Sequence, residues 1–144
     1  MNIRRFLSCT LLIGATLGAL ATGARAEPVL IVHKALEGQA LDAATVKSVL
    51  LGKKVAWDNG TRVTIAALKS GPVADGALKA AVDQSASQFL NHWRRLAMTG
   101  GGIAPKSFDS EQDVLRFVAE TPGAIGFVDS ATADASVVVV KAGQ

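Results

Sequence analysis

Tyrosine is absent from this 144-residue sequence, cysteine occurs once, and aromatic residues make up 5% of it. Each scarcity excludes something. The one cysteine is Cys9, so beyond residue 26 there is no disulfide, thiol nucleophile or thiolate metal site. Sugar and nucleobase binders stack their ligands on aromatic faces. With Trp57 and Trp93 as the sole tryptophans and no tyrosine, the chain is poorly equipped for either ligand class. The two histidines, His33 and His92, stand in no metal motif, and no carboxylate sits at helical spacing from His92. Both read as structural, and no metal or other cofactor is expected. There is no Gly-x-Ser-x-Gly elbow and no Ser-x-x-Lys pair, so nothing names a reaction and the expectation is a protein that is not an enzyme.

The formal charge of +3 is equally uninformative about partners, because it is not evenly spread. Arg4, Arg5 and Arg25 all precede the first acidic residue, Glu27. From Glu27 onward 12 basic residues balance 12 acidic ones. A nucleic-acid partner loses its main support.

Met1–Ala26 has the layout of a secretory signal peptide. Arg4 and Arg5 supply the positive start, Leu7–Ala21 the apolar middle, and Ala24-Arg25-Ala26 the small-x-small cleavage pattern. The apolar run is shorter than a membrane-spanning helix needs and is interrupted by Ser, Thr and Gly. Cleavage before Glu27 is expected, leaving a periplasmic protein that is not integral to the membrane. Residues 27–144 then form one domain, long enough to bury a core without staples.

Strands and helices alternate along that domain. Pro28–His33 reads as a buried β-branched strand, followed by a helix over 42–52 with Asp42 as N-cap and Gly52 as its stop. Asn59-Gly60 marks a tight turn. Arg62–Leu68 alternates as a second strand, and a helix spans about Val73–Val82. Ser85 and Gln88 have capping-box spacing and open a helix with apolar positions Phe89, Trp93, Leu96 and Ala97. Gly100-Gly101-Gly102 ends it. Ser110 caps another helix carrying Val114, Phe117 and Val118, and Ala124–Val128 and Val137–Val140 read as strands. The fold class is α/β, a single domain with a mostly parallel or mixed sheet flanked by helices. Trp93 belongs with Phe89 in the core, whereas Trp57, in a polar loop, either packs or faces a partner.

One position carries binding chemistry. Lys69, Ser70 and Gly71 lie between the second strand and the next helix, where free backbone N–H groups and the positive helix end favour an anion. Pro72 removes one of those donors.

Three segments resemble a known family. Val49-Leu50-Leu51-Gly52-Lys53-Lys54, with Trp57 and Asn59-Gly60, is similar to the Ile-Phe-x-Gly-Lys … Trp-x-x-Gly segment of phosphate-binding-protein-like domains. Trp93 with Met98-Thr99-Gly100 resembles their Trp … Phe-Thr-Gly-Lys helix and its exit. Pro122-Gly123-Ala124-Ile125-Gly126-Phe127-Val128 is similar to their Pro-Gly-Ala-Ile-Gly-Tyr-Val strand. The likeness spans about residues 29–141. It implies a short, single-domain form of the type II periplasmic binding protein fold, as found in the substrate-binding component of phosphate ABC transporters. A solute-binding role toward phosphate or another small anion, serving a membrane transporter or sensor, would follow, with Lys69, Ser70 and Gly71 as the ligand-binding residues. The chain also departs from the family. Its Ser-Gly-Ser-Gly-Thr type phosphate loop is represented only by Lys69-Ser70-Gly71-Pro72, and Gly101 replaces the usual lysine after Thr-Gly. Those losses leave open an alternative of another class, an accessory interaction module of the cell envelope that binds no ligand.

Overall fold

The computed structural model describes residues 27–140. Residues 1–26, expected to be a signal peptide and including Cys9, and residues 141–144, where the last strand was expected to reach Lys141, lie outside the described residues.

Five strands form one sheet: β1 (Pro28–His33), β2 (Thr64–Leu68), β3 (Lys106–Phe108), β4 (Ala124–Asp129) and β5 (Val137–Val140). Their spatial order is β3-β2-β4-β1-β5. β2 runs parallel to both β3 and β4, and β1 runs antiparallel to both β4 and β5. The sheet is therefore mixed, with its parallel part at the β3 side. Four helices flank it: α1 (Ala43–Leu50), α2 (Pro72–Val82), α3 (Ala86–Met98) and α4 (Glu111–Glu120).

The crossovers explain how both faces are covered. The path from β2 to β3 and the path from β3 to β4 cross the sheet in opposite directions. Right-handed connections then place α2 and α4 on opposite faces. Each packs on β1 and β4, while α1 and α3 pack against α2. At Gly126 in β4 a Cβ would lie 2.8 Å from Val114 Cγ1 and 3.2 Å from the Ala66 carbonyl. The glycine is what lets α4 sit directly on the sheet.

The helix starts follow from their caps. Asp42 Oδ1 accepts the Thr45 N–H at 3.0 Å, and Ser110 Oγ accepts the Asp113 N–H at 3.2 Å. Ser85 and Gln88 complete the capping box on α3 in both directions. The core is continuous and apolar. It includes Ile31, Leu50, Phe89, Val114 and Phe127, all fully buried, and no polar or charged residue is buried among the described residues.

Three local differences from the sequence reading have plain causes. The second strand begins at Thr64, because Arg62 pairs instead with Ala56 across the Asn59-Gly60 turn. β3 has no apolar alternation and two exposed residues, so its strand form comes from pairing with β2 and is invisible locally. Ala97, expected on the apolar side of its helix, is exposed at the end of α3.

Candidate functional site

The expected binding residues occupy the turn that leaves the carboxyl end of β2 and enters α2. Ligands of open α/β sheets sit outside the carboxyl ends of parallel strands, so the location is apt. Gly71 is the N-cap of α2 and adopts φ +114°, a region where a Cβ is strained. Among the described residues α1, α3 and α4 each carry a side-chain cap, but α2 has none. Pro72 occupies the first helical position and has no N–H. The N–H groups of Val73 and Ala74 are left as the uncapped donors of the first turn. Ser70 is exposed beside them.

Lys69 stands at the end of β2, where its backbone N–H donates to the Phe108 carbonyl oxygen at 3.1 Å. Its ammonium lies 2.9 Å from Asp109 Oδ1, in the turn that leaves β3. Lys69, Ser70 and Gly71 follow one another in this turn, and the structure places beside them a carboxylate, Asp109, that the sequence did not point to. Both partners are more than half exposed, and ion pairs of that kind contribute little net stability. Lys69 can exchange Asp109 for another anion at small cost.

Other carboxylates near these helix starts are engaged. Asp75 Oδ1 accepts the Ala86 N–H at 2.8 Å and so ties the first turn of α2 to the start of α3. Glu111 Oε1 accepts the Asp129 N–H, and Ser110 closes the end of α4. Of the two helix starts beside the parallel strands' carboxyl ends, only that of α2 is open.

The remaining candidates serve the fold. His33 Nδ1 accepts the Ala35 N–H at 3.0 Å, and His92 Nε2 donates to the Leu51 carbonyl oxygen at 3.0 Å. No group of three His, Cys, Asp or Glu side chains is placed to hold a metal among the described residues. Trp57 is buried and donates through Nε1 to the Gly123 carbonyl oxygen at 2.9 Å. Trp93 is buried and donates to the Leu50 carbonyl oxygen at 2.8 Å. The Gly52 and Gly102 backbones press against its ring, where a Cβ would lie 3.0 Å and 3.1 Å from ring carbons. Both indole N–H groups of these motifs are therefore spent on backbone carbonyl oxygens within the fold.

No helix among the described residues is long and apolar enough to cross a membrane. No family model matches the sequence, and no curated protein sequence matches it either. Among solved structures the fold is similar to that of an ABC-type phosphate transport receptor from Vibrio cholerae, with a TM-score of 0.51 and 13% identity. The match covers 79% of this chain and 45% of the receptor, so this chain spans less than half of that protein. At that identity the likeness is one of fold alone, a mixed α/β sheet flanked by helices.

Proposed function

We propose that this chain is a periplasmic solute-binding-like protein, not an enzyme, that takes phosphate or a similar small anion at the turn formed by Lys69, Ser70 and Gly71. It would work for a membrane transporter or sensor. The observation that carries the reading is the uncapped start of α2. It combines a helix dipole, a glycine at φ +114° and an adjacent lysine at the carboxyl end of a central parallel strand. The likeness of the fold to a phosphate transport receptor supports the same ligand class.

Thermal unfolding of the purified protein against phosphate, sulfate, phosphonate and carboxylates tests it. Ligand at 100 times its dissociation constant stabilises by about 2.7 kcal/mol, which raises Tm by about 10 °C in a domain near this size. The reading expects that rise for one anion and its loss in Ser70→Leu. No rise for any anion would overturn it.

The Asp109 carboxylate favours a second reading, because it already supplies Lys69 with an anion from within the chain. Under that reading the protein keeps the fold without a ligand and acts as an interaction module of the envelope. Phosphate would then leave Tm unchanged in both the natural protein and Asp109→Asn.

A further inference from the structure

A pocket of about 270 Å³ opens near the other end of β2, away from the Lys69–Gly71 turn. Val63 and Ile65 form one side, at the amino end of β2, and Val49 near the end of α1 forms another. Trp93 and the chain leaving α3, from Gly100 to Ile103, complete it. We infer that this pocket is a binding site for a small apolar carboxylate, separate from the anion turn and independent of it.

Charge is the first ground. Lys54 and Arg62 are the charged residues lining the pocket, and no carboxylate lines it. Lys54 is already paired with Asp58 at 2.5 Å. Arg62 is exposed and has no carboxylate within ion-pair distance among the described residues. One guanidinium is left without an ion-pair partner beside a cavity walled in part by apolar side chains, and its planar fork suits a carboxylate.

Apolar surface is the second ground. Val55 and Ile103 both line the pocket and are 59% and 69% exposed, in a chain whose large apolar residues are otherwise mostly buried. Exposed apolar side chains clustered at a cavity mark a binding surface, and a hydrocarbon body laid between them removes their area from water. An inorganic oxyanion gains nothing from such walls. A ligand with an apolar body and one carboxylate matches both parts.

The third ground is how the wall is built. Gly102, at φ +157°, packs closely on the Trp93 ring, and Gly101 donates to the Leu96 carbonyl oxygen at 2.8 Å. The triple glycine lets the chain run closely past the indole and turn into β3, which leaves Trp93 as part of the pocket lining. Ligand entry therefore reports through tryptophan fluorescence.

Hexanoate is the probe, with 1-hexanol, hexylammonium and phosphate as comparisons, read by tryptophan fluorescence and thermal unfolding of the whole protein. The expected result is saturable binding of hexanoate, weaker binding of hexanol and none of hexylammonium. Arg62→Gln is expected to weaken hexanoate by about tenfold or more, the value of a charged hydrogen bond, and Ile103→Ser to weaken both hexanoate and hexanol. Ser70→Leu, at the other end of β2, leaves hexanoate binding unchanged. Absence of saturable hexanoate binding, equal binding of hexanol, or undiminished binding in a folded Arg62→Gln protein would each overturn the proposal.

Discussion

The carbonyl oxygen of Gly123 accepts two donors from the segment that forms and follows the Asn59-Gly60 turn: Trp57 Nε1 at 2.9 Å and the Thr64 N–H at 3.1 Å. Trp57 and Gly123 are 66 residues apart. That one acceptor joins the start of β2 to the start of β4, the two strands that pair in parallel at the centre of the sheet. It also ties the Trp57–Gly60 turn to the Pro122–Gly126 segment. They are two halves of one structural joint.

Replacing Trp57 with Phe keeps most of the apolar volume and deletes the indole N–H. Gly123 retains its bond from Thr64, so the loss is that of one buried hydrogen bond plus a small void, about 2 kcal/mol. Urea unfolding measures it.

Gly123 and Gly60 both hold positive φ, at +80° and +84°, but only one is crowded. A Cβ at Gly123 would lie 2.2 Å from the Arg62 carbonyl oxygen, whereas at Gly60 it meets nothing within 4 Å. Gly60→Ala should cost about 1–2 kcal/mol, the strain of the left-handed backbone alone. Gly123→Ala adds a backbone collision and should cost about 4 kcal/mol or more. Equal effects in equilibrium unfolding would contradict the joint.

The capping box of α3 gives a cleaner helix test. Ser85→Ala removes the acceptor for the Gln88 N–H and is expected to lower stability by about 1 kcal/mol. Ser85→Asp keeps an acceptor and should recover most of the loss.

Acid sensitivity follows from three carboxylates held below their ordinary value of 3.8. The Thr45 side chain, and next its N–H, lower Asp42; a bond from Lys79 lowers Asp83; the Ser136 hydroxyl and N–H lower Asp134. A depressed folded pKa adds stability that is present above the unfolded value and is lost as pH falls through the folded one. Unfolding followed from about pH 5 to about pH 3 should show stability falling. The slope should be shallower in Asp42→Asn, which keeps a cap but does not titrate.

At the proposed anion turn, Asp109→Asn removes the internal competitor for Lys69. Phosphate affinity should rise by up to about fivefold, the range set by a surface ion pair. Calorimetric titration of the two proteins reads the ratio directly.

The helices were legible in the sequence because their signals are local. Asp42, Ser85 and Ser110 each cap the helix that follows them, and the apolar spacing of Phe89 and Trp93 puts both in the core. The strand–turn–helix position of Lys69, Ser70 and Gly71 was legible for the same reason. Trp57 was ambiguous because its partner lies far along the chain, and local polarity says nothing about a carbonyl in another strand. β3 and the Lys69–Asp109 contact share one cause. Both depend on β3 lying beside β2, which nothing in Lys106–Asp109 announces. The pocket beside Trp93 was hidden too, since segments from four parts of the chain line it.

Amide chemical-shift mapping during a phosphate titration addresses the central claim most directly. The account predicts saturable shifts concentrated at Ser70, Gly71, Val73 and Ala74, with Lys69 and Asp109 moving alongside. Shifts that never saturate, or that scatter over exposed lysines and arginines while the start of α2 stays still, would contradict it.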